Sequence, residues 1–282
     1  IHPTAGTNNF LAGAQDNGTQ RYTSAGINST SQATGGDGAY CHIDQTNGAY
    51  QTSSYVYNVF YHSSNSGASF SQINSDQATG RFINPSDLDN NQNILYTYRS
   101  PTSLYRVSNF ESGAPSVNTF TMSSIGSSAS TLSVSPYTTT STTLFIGTTS
   151  GRVFKLTNAQ GTETTTEITG VSFPTGSVSC IAFGASENEI LVTFSNYGVN
   201  SVWYTSNGGS SWVSKEGNLP DMPVRSALFN PNDYNEVIVA TEVGVWTTTG
   251  LNAGSPSWTT SSSGLANVRV DMLQMRTSDN EV

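Results

Sequence analysis

Ala227-Leu-Phe-Asn-Pro-Asn-Asp-Tyr-Asn-Glu-Val-Ile-Val-Ala-Thr241 is the clearest copy of a phrase that recurs along a chain of 282 residues. The phrase is an apolar stretch, a Pro/Asx/Ser turn, and a second apolar stretch that often ends in Gly-Thr or Ala-Thr. Short apolar runs on either side of such a cluster read as two antiparallel strands joined by a tight turn. A second good copy is Arg81-Phe-Ile-Asn-Pro-Ser-Asp87 with Asn93-Ile-Leu-Tyr-Thr97, and weaker ones start near Ile1, Cys41, Leu132, Ile181 and Met272. The turns fall near residues 3, 45, 85, 136, 185, 231 and 277, in steps of about 40 to 51 residues. Four-stranded propeller blades have that period. The phrase predicts an all-β chain: a β-propeller of four-stranded blades, six or seven in number, forming a single domain over residues 1–282.

Seven phrases leave six steps, so closure of the ring has two readings. Either residues 268–275 supply the innermost strand missing from the N-terminal blade and close six blades, or the chain is part of a larger propeller. The opening at Ile1, without Met, reads as a processed piece whose export signal lies outside these residues.

Composition agrees. Only 10% of residues are charged, and Ser, Thr, Asn, Gly and Gln dominate, which suits short strands joined by turns and disfavours salt-bridged helices. The net charge of −9 arises from 19 acidic and 10 scattered basic residues. Nucleic acid and anionic membrane surfaces need a concentrated basic patch, so neither is an expected partner. No apolar run approaches the ~20 residues of a membrane-spanning helix. Cys41 and Cys180 occupy similar places in the phrase, three repeats apart, and are expected to be buried free thiols with no metal or catalytic role.

A second signature lies between the phrases. Ser63-Ser-Asn-Ser-Gly-Ala-Ser-Phe70 and Thr205-Ser-Asn-Gly-Gly-Ser-Ser-Trp212 share the pattern Ser/Thr-x-Asx-x-Gly-x-Ser/Thr-aromatic. It resembles the Asp-box, or bacterial neuraminidase repeat, a turn between the third and fourth strands of a blade. In such a turn, opened by Ser63 or Thr205, Asn65 and Asn207 accept hydrogen bonds from turn amides, Gly67 and Gly209 take positive φ, and Phe70 and Trp212 pack between blades. Degenerate relatives lie at Thr157-Asn-Ala-Gln-Gly-Thr162 and, with an insertion, between Thr249 and Trp258.

The stretches Leu219–Pro231 and Val237–Trp246, with Gly13-Ala-Gln-Asp-Asn-Gly-Thr19 and Gly35-Gly-Asp-Gly38, narrow the likeness. They resemble secreted Asp-box propellers of Bacteroidetes bacteria, whose relatives include sortilin-type and xyloglucan-hydrolase propellers. The resemblance covers most of the chain and implies an extracellular, secreted or cell-surface location, often by type IX secretion. It implies an architecture more firmly than an activity.

Two function classes follow. The first is a non-catalytic surface module, adhesin-like or a structural component of a secreted assembly, that presents a rigid face to a glycan, a protein or another copy of itself. The second is a glycoside hydrolase, which needs two carboxylates ~5 to 9.5 Å apart. Asp16, Asp37, Asp44, Asp87, Asp89, Asp221, Glu242 and Asp271 supply acids that sequence spacing alone cannot pair, and several read better as turn residues, with Asp87 and Asp89 placed in one turn. A sialidase would need an arginine triad, and none of the arginines is spaced to form one. The scarcity of catalytic motifs favours the binding module, with no catalytic residue assigned.

The acidic glycine loops are the preferred ligand site. Asp16, Asn17 and Asp37 offer hard oxygens of the kind calcium accepts, and calcium is the one cofactor the sequence suggests. Aromatic residues crowd the blade holding Tyr50, Tyr55, Tyr57, Phe60 and Tyr61, and Trp203, Trp212, Trp246 and Trp258 mark the last two. The alternation Tyr55-Val-Tyr57 and Val202-Trp-Tyr204 reads as packed strands. His2, His42 and His62 show no metal spacing. Asn17-Gly-Thr19 and Asn28-Ser-Thr30 match the N-linked acceptor pattern.

Overall fold

A computed structural model describes residues 1–24 and 30–282, so the acceptor Asn28 lies outside the described residues. Among the described residues every regular element is a β-strand, and the strands form six antiparallel sheets, each a simple meander. The first sheet holds β1 (Phe10–Ala14), β2 (Gly18–Tyr22) and β3 (Ser31–Thr34). The second holds β4 (Cys41–Ile43), β5 (Gln51–Ser54), β6 (Asn58–Ser63) and β7 (Ser71–Asp76). The third holds β8 (Ser86–Asp89), β9 (Ile94–Ser100), β10 (Ser103–Ser108) and β11 (Ser116–Thr121).

The fourth sheet holds β12 (Ala129–Val134), β13 (Leu144–Thr148), β14 (Val153–Thr157) and β15 (Thr164–Glu167). The fifth holds β16 (Val178–Phe183), β17 (Ile190–Phe194), β18 (Val202–Thr205) and β19 (Val213–Ser214). The sixth holds β20 (Val224–Asn230), β21 (Asp233–Thr241), β22 (Gly244–Thr248) and β23 (Thr259–Thr260). These are propeller blades, and the chain is an all-β protein of the β-propeller class. No helix among the described residues is long and apolar enough to cross a membrane.

The described residues divide into two compact units, residues 1–124 with 275–281, and residues 125–274 with Val282. In each, second strands such as β9, β13 and β17 are buried and read as near-continuous apolar runs. The outer strands β11 and β15 are polar and largely exposed. In the second unit β12 packs on β16 and β16 on β20, so successive blades meet through their first strands. A side-chain rung joins each pair. Ser130 Oγ donates to Val178 O (2.6 Å), and Ser179 Oγ donates to Val224 O (2.5 Å). Leu273 N–H donates to Ser226 Oγ (3.2 Å), 47 residues on, so residues near 273 hold the place that the next first strand would take.

Turn chemistry repeats at the end of the first strand in the second to sixth sheets. Asp44 Oδ1 accepts the N–H groups of Thr46 (2.7 Å) and Asn47 (3.0 Å), and Asp89 Oδ1 accepts those of Asn91 (2.9 Å) and Gln92 (3.0 Å). Ser135, Ser186 and Asn230 cap the N–H groups of Tyr137, Asn188 and Asn232 in the same way. One turn lies elsewhere than the phrase predicts. Residues 81–85 are irregular, Phe82 and Ile83 are exposed, and the first strand is β8, so the turn sits near residue 91 rather than 85. Pro85 leads into a strand instead of turning one, a place where the chain can dispense with an N–H. The steps from 45 to 91 and from 91 to 136 are then 46 and 45 residues, closer to the rest of the series. Asp87 accordingly lies in β8 and Asp89 at its end, not together in a turn.

Cys41 and Cys180 are free thiols, half-buried rather than buried, because β4 and β16 are each the edge strand of their sheet. Burial nonetheless pushes the Cys41 thiol up to about 11. Two indoles tie outer strands to the blade before. Trp212 Nε1 donates to Ile168 O (2.8 Å) and Trp258 Nε1 to Lys215 O (3.0 Å), across 44 and 43 residues. Trp258 is 1% exposed. Trp258→Ala is expected to cost about 3–5 kcal/mol in denaturant unfolding, and Trp258→Phe, which loses mainly the N–H bond, about 1 kcal/mol.

Candidate acidic–aromatic binding face

Asp16, Asn17 and Asp37 come together at one end of the first sheet. β1 and β2 are joined through Asp16 at φ 62 and Gly18 at φ 69, which turns the Asp16 N–H onto Asp37 Oδ1 at 2.8 Å. Gly38 N–H donates to Ala14 O (2.9 Å), and Gly18 pairs with Asp37 as a parallel bridge. A Cβ at Gly38 would stand 2.2 Å from Gly18 O, so only glycine allows the two loops to dock this closely. Asp16 and Asn17 are exposed and Asp37 is half-buried.

Aromatic side chains adjoin these loops. Gly36, at φ 80, lies under the Tyr55 ring: a Cβ there would meet Tyr55 Cε2 at 2.6 Å. Tyr57 stands edge-on to Phe82 at 6.0 Å, and its N–H donates to Phe82 O (3.1 Å). Tyr55 and Tyr57 are not in a packed strand. They form the turn between β5 and β6, both half-exposed, with Tyr57 at φ 57. A left-handed tyrosine is uncommon and persists where its surroundings fix it. The alternation misleads because a three-residue turn carrying two tyrosines around Val56 has the same period as a strand. By contrast Trp203 and Tyr204 are buried in β18.

Among the described residues no group of three or more His, Cys, Asp or Glu side chains is placed to hold a metal ion. A calcium ion at Asp16 and Asp37 would have to take its remaining ligands from amide and main-chain oxygens, which calcium accepts.

The two Ser/Thr-x-Asx-x-Gly turns lie between the third and fourth strands of their sheets and carry the same bonds. Asn65 Oδ1 accepts Ser69 N–H (3.0 Å) while Ser63 Oγ accepts Gly67 N–H (3.0 Å). Asn207 Oδ1 accepts Ser211 N–H (2.9 Å) while Thr205 Oγ1 accepts Gly209 N–H (3.1 Å). Gly67 and Gly209 stand at φ 74 and 90. Trp212 packs against Phe173 at 5.0 Å, and Phe70 is half-buried. The side-chain oxygens of Ser63, Asn65, Thr205 and Asn207 all accept within their own turns.

Most other acids are also committed. Asp44 and Asp89 cap turns, Asp221 accepts Gly198 N–H (2.6 Å), and Glu242 and Asp271 pair with Arg225 at 2.6 and 3.7 Å. Burial pushes the Glu216 carboxyl up, yet its Oε2 accepts the N–H groups of Ser201 (2.6 Å) and Val202 (3.1 Å), a structural duty.

His42 bonds Ser86 Oγ through Nε2 (3.0 Å), and its Nδ1 is 3.9 Å from Asp87, too far for a hydrogen bond. Ser86 is 2% exposed, which withholds it from any substrate and makes the His42–Ser86 pair a rung between β4 and β8.

Neither a known family nor a characterised protein matches this chain in sequence. Among solved structures it is similar to the GH74 xyloglucanase from Xanthomonas campestris, with a TM-score of 0.63 and 12% identity over 92% of this chain and 44% of that one. It is also similar to an ancestral GH74 enzyme, with a TM-score of 0.65 and 13% identity over 92% of this chain and 37% of that one. At such identities the likeness is one of fold, and this chain spans less than half the length of either structure.

Asn207→Ala is expected to lower stability by about 1 kcal/mol in chemical unfolding. Gly209→Ala should cost more, since its Cβ would stand 2.7 Å from Ile168 Cβ at φ 90. Burial pushes His42 down to about 4 from 6.5. The unfolded chain therefore takes up the proton first, so stability is complete above about pH 6.5 and falls as pH drops toward 4, by about 3 kcal/mol at most. Urea unfolding from pH 7 to 4 should show a shallower decline in His42→Gln.

Proposed function

We propose that this protein is a non-catalytic, extracellular or cell-surface propeller module whose acidic–aromatic face binds a glycan. The observation that carries the reading is the Tyr55 ring laid over Gly36, in the loop whose Asp37 carboxylate holds the Asp16 turn, with Tyr57 and the exposed Phe82 alongside. Rings with a polar edge stack on the C–H faces of sugars, and adjacent carboxylates and amides accept from hydroxyl groups. The face rests on turns locked by glycine and by main-chain bonds, so little ordering is required on binding.

The absence of catalysis is supported by the use of acids elsewhere as turn caps and ion-pair partners. The two Asx-Gly turns are Asp-box repeats in this reading, with a structural role at Ser63, Asn65, Gly67, Phe70, Thr205, Asn207, Gly209 and Trp212. Calcium, bound through Asp16, Asn17 and Asp37, would stiffen the loops and bridge to sugar hydroxyls. A surface protein or a second copy of the chain is a further partner such a face can take.

The test is a glycan and polysaccharide array with and without chelator, followed by analysis of the bound sugar for released fragments. Binding to one sugar class without fragments is expected. Tyr57→Ala and Gly36→Ala should each weaken it about tenfold or more, the loss of one stacking contact. Fragment release that Asp37→Asn abolishes would instead establish the hydrolase reading. No binding to any glycan would remove the carbohydrate role.

A further inference from the structure

At the other end of the first sheet, away from the acidic loops, Phe10 opens β1 and Tyr22 closes β2. They are register partners whose rings stack at 4.1 Å and 9°. Beside them Arg21, His2, Ile43 and Gln51 line a shallow, solvent-open depression of ≈ 40 Å³. Gln51 is 3% exposed. Its Nε2 donates to Gly48 O (2.9 Å), which fixes the amide orientation and leaves Oε1 buried without a hydrogen-bond partner. Arg21 takes part in none of the ion pairs among the described residues. A Cβ placed on Gly67 would stand 2.5 Å from Gln51 Oε1 and 3.2 Å from Arg21 Nε, so the acceptor and the guanidinium pack against the same side of Gly67.

An unpartnered buried acceptor is costly, and in a wall of a polar depression a ligand donor is one group that can match it. An uncommitted guanidinium selects a planar carboxylate that can accept two of its N–H groups. Phe10, 36% exposed, offers an apolar face. Burial lowers the His2 pKa, and its Nδ1 accepts Thr4 N–H (3.2 Å), so a neutral imidazole completes the wall. The ligand these groups describe has a carboxylate, a hydroxyl donor and a flat C–H face on one small ring.

We propose that this depression is a binding site for a sugar acid, a uronic-acid residue of an acidic glycan. Arg21 holds its carboxylate, Gln51 Oε1 accepts from a ring hydroxyl, and the Phe10–Tyr22 stack carries its apolar face. The site shares no residue with the acidic–aromatic face and does not depend on the reading given to it.

Saturation-transfer NMR and calorimetry with glucuronic acid, and with glucose as the neutral counterpart, test this on the full chain. Glucuronic acid is expected to bind about tenfold or more tightly than glucose, the discrimination of one charge-assisted contact. Arg21→Met, which keeps the stem, should abolish that preference, and Arg21→Lys, which keeps the charge but not the fork, should restore part of it. Phe10→Ala should weaken binding of both sugars, and Tyr57→Ala should leave glucuronic acid binding unchanged. Equal binding of the two sugars, unaltered binding by Arg21→Met, or no binding of glucuronic acid would overturn the proposal. Loss of this site with glycan binding still sensitive to Tyr57 would leave the proposed function standing.

Discussion

The cap that Asp44 Oδ1 places on the amides of Thr46 and Asn47 is the interaction on which the rest of the architecture depends. A chain with 10% charged residues cannot rely on ion pairs to set its strand register. It sets register at the turns instead, where a short oxygen-bearing side chain accepts the N–H groups that the turn leaves over. Asp89, Ser135, Ser186 and Asn230 repeat the device in four further blades. Once the hairpin is fixed, the Ser130, Ser179 and Ser226 rungs fall at matching points on successive first strands. Indoles from outer strands then seal blade to blade, as Trp258 does on Lys215 O.

Function follows from where this economy of polar groups leaves some uncommitted. The carboxylates of Asp44 and Asp89 are spent on the fold, and Glu242 holds Arg225 beside residues 269–271. Some of the groups without such duties lie at the two ends of the first sheet. One end carries Asp16, Asn17, Tyr55 and Tyr57, and the other carries Arg21 with the orphan oxygen of Gln51. In the proposed reading both ends are recognition surfaces.

The hairpins and the period were legible in the sequence because Asx, Ser and Pro at a turn have a local physical cause. Gly67 and Gly209, in the repeated box, were legible for the same reason. Arg81 to Pro85 misled because proline serves equally to turn a hairpin and to open a strand, and only the burial of Leu88 and exposure of Phe82 separate the two. Tyr55 and Tyr57 misled because a turn of alternating aromatic and apolar residues copies a strand's period. The docking of Asp16 on Asp37 was foreshadowed by the glycines around both, but the bond depends on backbone angles that no spacing encodes. The opposition of Arg21 and Gln51 joins two sheets and leaves no trace in the sequence.

Hydrogen–deuterium exchange of the full chain, alone and with the glycan selected on the array, tests the central claim most directly. The account predicts slowed exchange at peptides covering residues 14–18, 35–38, 55–58 and 81–83, with the sugar recovered at its original length. Protection elsewhere with none at these peptides, or a shortened sugar, would contradict it.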